Sequence, residues 1–346
     1  MNIIRANVDL IQQTEGLNGM FLHIERCGRT CYKSEDRISE GTAAAFVQRM
    51  IESNHTAMLE HGTVYLKLPM NINIGSEPMQ RKWYHNNEVV KYREIFGYVQ
   101  TIFMQNPYSV VNIHYDRDTN ESIMAITTNY RVIIENGLED IMNEFICEPT
   151  EWHTPRFTLK FTTNIGVTRE GNRMRANSIA EESTRYCNYT KEKFGSEVSI
   201  CPPTWLDNIE KEILQERTTE NWILEINSIC IHEMSVNTSK DLLPLDYYGA
   251  AIAFSNICYN NLIRLGWKPQ QACEVLPLAT KSDVVYTAFP HQWKHFFDLR
   301  LFGKTGAPHP NMKQIAELAR GVLMDNELWG FIYSAKEPEF ALPECS

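Results

Sequence analysis

The stretch with the most chemically active side chains is residues 173–186, whose sequence is RMRANSIAEESTRY. It combines hydroxyl residues such as Ser183 with three arginines and few apolar side chains. The arginines are Arg173, Arg175 and Arg185. A guanidinium pairs with two oxygens of a phosphate, and a nearby hydroxyl can donate to a third, so the pattern predicts a site for a small anion. The alternative is a solvated segment in which the arginines pair with Glu181, Glu182 or water.

Composition limits the partners of such a site. The chain has 346 residues and a formal net charge of −10. Binding of a polymeric nucleic acid requires a basic surface, so this charge argues against such a partner but not against one nucleotide held by a few arginines. No apolar run approaches the ~20 residues of a membrane span, and the N-terminus lacks a secretion signal. We therefore expect a cytoplasmic protein without a membrane partner.

The cysteines and histidines do not have the spacing of a metal site. Nine cysteines are scattered along the chain, an odd number without the dense spacing of a disulfide scaffold, which predicts reduced thiols. There is no CxxC or HExxH motif, and His55 and His61 are too far apart to share one helical face. We expect no bound metal.

The elements that must position these residues are a mixture of helices and strands. Apolar spacing predicts a helix within residues 41–53, and strict alternation predicts strands at residues 63–68 and 157–162. Later elements are predicted as helices at residues 205–234, 247–265, 291–299 and 312–324 and as a strand at 284–288. The predicted fold class is α+β, with a mixed sheet, flanking helices and a helical subdomain.

Residues 69–155 read as an inserted segment within one domain that spans residues 1–346. Alternating residues 108–115 and 122–127 flank a turn-forming run, DRDTN, which predicts a β-hairpin. The pattern leaves open whether the segment covers a site, extends a subunit interface or binds a partner.

The spacing within residues 173–186 resembles the signature of the flavin-dependent thymidylate synthases, an Arg-x-Arg pair followed at a fixed interval by Ser-x-Arg-Tyr. Further blocks are similar to those of the family and occur in the same order. They are RTCYKS at residues 29–34, HTAMLEH at 55–61, VLPL at 275–278, VVYT at 284–287 and WKHFFDLR at 293–300.

This resemblance implies a homotetramer that reductively methylates dUMP to dTMP, with FAD bound at subunit interfaces, methylenetetrahydrofolate as carbon donor and NADPH as reductant. By position, the implied flavin contacts are Arg173, Arg175, His55, Glu60, His61 and His295. The implied dUMP contacts are Ser183, Arg185, Glu181 and Glu182.

Arg300 matches the family's arginine that contacts the uracil ring. Addition of hydride at C6 of uracil spreads negative charge over O4 and N3, and a fixed guanidinium stabilises that charge. We place Arg300 and Ser183 at the reacting centre. Ser183 is not assigned as a nucleophile, because no histidine lies beside it in the sequence to act as base. Without the resemblance, Arg300 reads as a cation that complements a helix C-terminus.

Several positions depart from the family pattern. Met174 replaces a histidine and cannot donate a hydrogen bond to a flavin, while Cys31 and Ala57 replace residues with donors. Cys273 stands where an arginine usually helps to hold the dUMP phosphate. Loss of a charge-assisted hydrogen bond of roughly 1.5–3 kcal/mol weakens binding by about one to two orders of magnitude. We expect Lys281 to supply the missing cation.

Two alternatives follow from these departures. The first is a flavin enzyme of the same fold that acts on another pyrimidine nucleotide or leaves a hydroxymethyl group. The second is a homologue that binds a nucleotide without catalysis. Product analysis separates the first from thymidylate synthesis, and a colourless protein that takes up no FAD would favour the second.

Overall fold

The computed structural model describes residues 2–69, 83–85, 88–90, 101–116, 121–174, 177–194, 196–218, 221–222, 224, 227 and 243–334. The strands are β1 (Asn2–Ile3), β2 (Asn7–Leu10), β3 (Thr63–Pro69), β4 (Trp83–His85), β5 (Glu88–Val90), β6 (Val110–Asp116), β7 (Glu121–Asn129), β8 (Phe157–Asn164), β9 (Ser178–Glu181), β10 (Ser199–Ile200) and β11 (Lys281–Ala288).

The helices whose two ends both lie in this part of the chain are α1 (Gly16–Thr30), α2 (Thr42–Glu52), α3 (Tyr130–Glu135), α4 (Glu139–Phe145), α5 (Ile165–Gly171), α6 (Asn208–Glu216), α7 (Pro244–Arg264), α8 (Pro269–Ala272), α9 (Pro290–Arg300), α10 (Pro310–Asp325) and α11 (Trp329–Ser334). Short 3-10 helices occur at Glu35–Arg37, Thr56–His61, Glu192–Phe194 and Cys273–Val275. The α+β prediction is confirmed.

The central sheet has four antiparallel strands in the order β2-β8-β11-β9. Every residue of β11 is buried, because helices cover both faces of the sheet. Val284 and Tyr286 pack on one face in a cluster with side chains of α9 and α10. Val285 packs on the other face with Cys27 of α1. The central strand β11 is therefore packed on both faces, and β9 pairs with it as the edge strand of the sheet.

Strand β11 is longer than the predicted strand at residues 284–288. It begins at Lys281, and the polar residues Lys281, Ser282 and Asp283 are all buried within it. A hydrophobicity pattern cannot indicate such a start, because these side chains are stabilised by ion pairs and hydrogen bonds from distant residues.

A second sheet has three antiparallel strands in the order β3-β7-β6. Strands β6 and β7 lie where the sequence pattern predicts a hairpin, and β7 pairs along its length with β3. Leu66 of β3 and Ile126 of β7 are neighbours in a hydrophobic cluster that also contains Ile24 of α1 and Phe46 of α2. Strands β6 and β7 therefore share one core with helices α1 and α2.

The helical part of the chain packs around α7. The helix predicted at residues 247–265 is found as Pro244–Arg264. A helix was also predicted at residues 205–234. In the described part of that range, the continuous helix is Asn208–Glu216, which starts with a capping box at Asp207. Within the described ranges, no helix is long and apolar enough to cross a membrane.

The shared core predicts a contrast between two isoleucines of the second sheet. Ile126→Ala should lower the free energy of unfolding by about 2–5 kcal/mol, because Ile126 is fully buried and its truncation leaves a cavity. Ile113→Ala on β6 should cost less than about 0.5 kcal/mol, because Ile113 is 54% exposed. Urea unfolding of both variants measures the difference. Equal losses would contradict the packing of β7 in this core.

Candidate active site

The turn after β9 brings together the hydroxyl and the guanidinium predicted to bind an anion. The backbone N–H of Ser183 donates to the carbonyl of Cys31 at 3.0 Å, which fixes the turn to the end of α1. The Ser183 Oγ accepts the backbone N–H of Arg185 at 3.3 Å. Arg185 is exposed, and its guanidinium lies 6.0 Å from the ring centroid of Tyr186. The two predicted ligands therefore occupy one tight, solvent-facing turn.

Two exposed aromatic rings lie beside this turn. The ring of Tyr186 is 62% exposed and lies 5.3 Å from that of Tyr32, which is itself 41% exposed. Within the part of the chain that the structure describes, no carboxylate forms an ion pair with Arg185. The turn thus presents a cation and two aromatic faces to whatever binds there.

Glu181 and Glu182, which the family resemblance implies as dUMP contacts, are engaged with other residues of this chain. Glu181 ends β9, and its side chain accepts hydrogen bonds from Asn172 Nδ2 at 2.8 Å and Ser282 Oγ at 3.2 Å. Glu182 is buried, with its carboxylate 2.8 Å from Lys281 Nζ and 3.5 Å from Lys33 Nζ. Glu181 therefore holds the end of β9, and Glu182 holds the base of the turn.

Lys281 is also engaged in the interior, so we correct its assignment as a phosphate ligand. Its Nζ lies 2.8 Å from Glu182 and 2.5 Å from Asp283, and the side chain is 8% exposed. Burial opposes the charge of Lys281, but the two carboxylates outweigh it and raise the pKa. Burial likewise opposes the charge of Asp283, and Lys281 and Lys160 outweigh it and lower its pKa. An ammonium shared by two carboxylates has little charge left for a phosphate.

The turn predicted to border a flavin is the 3-10 helix Thr56–His61 with His55 before it. His55 is exposed, whereas Glu60 and His61 are buried. The Glu60 carboxylate pairs with Arg131 Nη1 at 2.5 Å, and Arg131 also pairs with Glu135 at 2.8 Å. Glu60 therefore stabilises the turn from within, and of the three predicted flavin contacts here only His55 faces solvent.

His61 belongs to a row of buried hydrogen bonds. Its Nδ1 lies 2.8 Å from Thr287 Oγ1, which lies 2.8 Å from Thr158 Oγ1, and that hydroxyl lies 3.0 Å from His23 Nε2. Burial is the main cause that lowers the pKa of His23 to about 4 and that of His61 well below its usual value. Both imidazoles are therefore neutral at pH 7.

Arg300 lies at the end of α9 and is paired with a partner that the sequence did not indicate. Its Nη1 forms an ion pair with Glu170, and its Nη2 donates to the Glu170 carbonyl at 3.3 Å. Glu170 is two residues from Asn172, which binds Glu181. Among the described residues, Arg300 has no hydrogen bond or ion pair with Ser183 or Arg185. In the described part of a single chain, no hydrogen bond or ion pair therefore links Arg300 to the Ser183 turn.

The remaining predicted flavin contacts differ in exposure. Arg173 follows α5 and is exposed, and His295 is exposed on α9. Arg175 lies outside the described residues. Met174 is half-buried and packs against the cluster beneath the central sheet. Cys273, at the position of the family's phosphate arginine, points its Sγ toward the carbonyl of Gln270 at 3.4 Å.

Sequence reasoning missed Arg156, which connects the turn at Glu60 to β9. Arg156 Nη1 donates to the Glu60 carbonyl at 3.0 Å, and Nη2 donates to Ser178 Oγ at 2.9 Å. Ser178 Oγ donates to the same Glu60 carbonyl at 3.1 Å. No local pattern indicates this role, because the three residues are far apart in sequence.

The neutral histidine row predicts how stability changes with pH. His23 has an unfolded pKa near 6.5 and a folded pKa of about 4, so in this window the unfolded chain binds a proton that the folded chain does not. Stability should therefore fall as the pH drops from about 6.5 to about 4, by up to about 3 kcal/mol from His23. His23→Gln should flatten this dependence in urea unfolding, whereas the exposed His55→Gln should not. An unchanged slope in His23→Gln would contradict the assignment.

The buried lysine predicts a second contrast. Lys281→Met leaves two carboxylates without their shared cation and should cost about 3–5 kcal/mol of unfolding free energy. Lys313→Met removes an ion pair with Glu317 whose lysine side chain is 51% exposed, and should cost less than about 1 kcal/mol. Thermal or urea unfolding compares the two, and similar small losses would refute the buried ion pair.

Comparison with known proteins gives two similar solved structures and a family. Two solved structures of a UMP/dUMP methylase PolB from Streptomyces cacaoi, bound with 5-Br dUMP and with 5-Br UMP, are 13% and 12% identical to this chain, each with a TM-score of 0.37. The alignments cover 96% of this chain in both cases, and 96% and 94% of the respective methylase chains. A search of curated protein sequences returns no match.

The family model of the thymidylate synthase complementing proteins, Thy1, matches residues 107–325. That range includes Arg173, Ser183, Arg185 and Arg300. It begins at residue 107, shortly before strand β6, within the segment that the sequence blocks had left unmatched. Since the match covers more than half of the chain, the protein belongs to the Thy1 family, that of the flavin-dependent thymidylate synthases.

Proposed function

We propose that this chain converts dUMP to dTMP in a flavin-dependent reaction, with methylenetetrahydrofolate as carbon donor and NADPH as reductant. The proposal rests on the family match, because the matched residues include the turn in which Ser183 and Arg185 lie together. The reaction balances. In converting dUMP to dTMP, the uracil ring gains one carbon and two hydrogens. The folate supplies the carbon, and NADPH and one proton supply the two hydrogens.

The proposed contacts with the dUMP phosphate come from the turn after β9. Arg185 is exposed and has the fork geometry that pairs with two phosphate oxygens. The Ser183 oxygen already accepts the Arg185 N–H, so its hydroxyl proton is left to donate to a third oxygen. Beneath them the pair of Glu182 and Lys281 keeps the turn in place, which reduces the entropy lost on binding.

Two exposed side chains suit contacts with FAD. Arg173 and His295 are solvent-facing, and a guanidinium neutralises a diphosphate or stacks on a ring. We propose these residues, with His55 and Arg175, as the flavin contacts of this chain. Bound FAD would supply the redox chemistry, since no protein side chain carries hydride.

Arg300 is proposed to stabilise the negative charge that develops on uracil O4 and N3. To do so, its guanidinium must share or exchange its pairing with Glu170. Within the described part of one chain, Arg300 pairs with Glu170 and forms no hydrogen bond or ion pair with the Ser183 turn. We propose that a homotetramer completes each site with residues from different chains.

A subunit-mixing experiment checks this arrangement. Arg185→Ala and Arg300→Ala should each lose at least about 100-fold in kcat/KM, because each removes a charge-assisted contact to substrate or to developing charge. Mixed tetramers should recover up to about a quarter of the native activity, since one random site in four then holds both arginines. Mixing two Arg185→Ala preparations is the control. If mixing restores nothing, each site is built from a single chain.

Product analysis tests the activity itself. The purified protein should carry a yellow flavin and should form dTMP from dUMP with methylenetetrahydrofolate and NADPH, as followed by liquid chromatography and mass spectrometry. The second candidate, action on another pyrimidine nucleotide or release of a hydroxymethyl product, is favoured by one observation: Cys273 replaces the phosphate arginine, and Lys281 is engaged elsewhere. Turnover of UMP or formation of hydroxymethyl-dUMP without dTMP would establish that candidate in place of thymidylate synthesis.

A further inference from the structure

Lys33 lies just after α1, beside the turn after β9 that is proposed to hold the dUMP phosphate. The carbonyl of Cys31 accepts the Ser183 N–H at 3.0 Å, so the two segments are in direct contact. Lys33 Nζ lies 3.5 Å from the carboxylate of Glu182, the residue immediately before Ser183. The Lys33 side chain is 22% exposed, whereas that of Glu182 is fully buried. Solvent therefore reaches the lysine but not the carboxylate with which it pairs.

The ion pair of Lys33 is the loosest contact of a carboxylate that other groups already satisfy. Glu182 lies 2.8 Å from Lys281 Nζ, and it accepts the Tyr189 hydroxyl and the Asp283 N–H, each at 3.3 Å. Within the part of the chain that the structure describes, Lys33 Nζ forms no hydrogen bond and pairs with no second carboxylate. Its three N–H donors are therefore left for a ligand.

Charges of alternating sign form a row that ends at Lys33. In order, they are Glu35, Lys160, Asp283, Lys281, Glu182 and Lys33, with separations of 3.7, 3.6, 2.5, 2.8 and 3.5 Å. The end at Glu35 is negative, and the end at Lys33, next to the turn, is positive. A phosphate bound at the turn would continue the alternation, because it would place a negative charge beside the terminal cation.

The backbone holds Lys33 at a position where glycine is common. The N–H of Ser34 donates to the carbonyl of Arg29 at 3.1 Å, and the N–H of Lys33 donates to that of Thr30 at 3.2 Å, which is the pattern of a Schellman motif. Lys33 has a φ of 45°, in the left-handed region that disfavours residues with a Cβ atom. The geometry of the helix end therefore favours glycine and does not account for a long cationic side chain.

We propose that Lys33 binds the dUMP phosphate in place of the arginine that Cys273 replaces. On binding, its ammonium exchanges the loose contact with Glu182 for a hydrogen bond to a phosphate oxygen, and the turn after β9 holds the other oxygens. Lys281 stays with Glu182, so the buried carboxylate keeps a cation. This inference rests on the proposed binding of dUMP at the turn, and it names the side chain that compensates for the missing arginine.

The test is calorimetric titration of the full chain, supplied with FAD, with dUMP. Lys33→Met removes the ammonium and keeps a long side chain, and it should weaken dUMP binding by about ten- to hundredfold. Lys160→Met is the matched control. Lys160 belongs to the same row of charges and its side chain is similarly exposed, at 25%, but it lies toward the other end of the row. Its loss should change binding by less than about threefold.

Phosphorus-31 NMR reports on the phosphate itself, which a purely structural role of Lys33 would not affect. A neighbouring ammonium favours the doubly charged phosphate, so the second pKa of bound dUMP should rise in Lys33→Met and stay unchanged in Lys160→Met. Lys33→Gly removes the same charge with a residue that suits the backbone of the helix end. It should fold and should bind dUMP as weakly as Lys33→Met.

The outcomes separate this inference from the proposed function. Native dUMP affinity in folded Lys33→Gly, equal losses in the two methionine variants, or an unchanged phosphate pKa in Lys33→Met would overturn the role of Lys33 and leave the proposed function standing. A native chain that binds no dUMP would instead overturn the proposed function, and this inference with it.

Discussion

The ion pair between Glu182 and Lys281 is the interaction on which the candidate site depends. Glu182 directly follows β9, and Lys281 is the first residue of β11, so the pair joins these two neighbouring strands of the central sheet. Asp283, from the same strand as Lys281, completes the group. In a buried setting such a pair contributes little net stability compared with apolar residues, but it strongly disfavours any arrangement that separates the charges. Its contribution is therefore positional, and it fixes where the chain leaves the sheet.

That constraint explains how a short polar stretch becomes a site. Without an anchored base, Ser183 and Arg185 would lie on a flexible segment and would lose entropy on binding. The ion pair below, and the hydrogen bond from Ser183 to the end of α1, hold both residues in one turn. The turn can then remain exposed, as a ligand requires, while its backbone stays fixed.

Local patterns in the sequence predicted about half of the regular elements and missed others, among them α1. The alternation at residues 63–68 and 157–162 and the spacing at 247–265 correspond to β3, β8 and α7, because each reports one buried face. The same patterns missed the polar start of β11, since burial of Lys281 depends on carboxylates that are distant in sequence. Residue identity indicated which side chains could bind an anion, but it did not indicate which were already neutralised. Glu182 and Lys281 illustrate this, since their charges satisfy each other inside the protein.

The pairing of β7 with β3 bears on how the chain could be shortened. Residues 69–155 read in the sequence as an inserted segment, yet β6 and β7 of that segment are two strands of a sheet shared with β3. The helix that follows carries Arg131, whose guanidinium neutralises Glu60, and the chain then reaches Arg156, which holds the carbonyl of that same residue. A truncated protein that joined β3 directly to β8 would keep the family's sequence blocks but leave a carboxylate buried without its cation. Excision would thus remove the support of the His55 turn along with the extra strands.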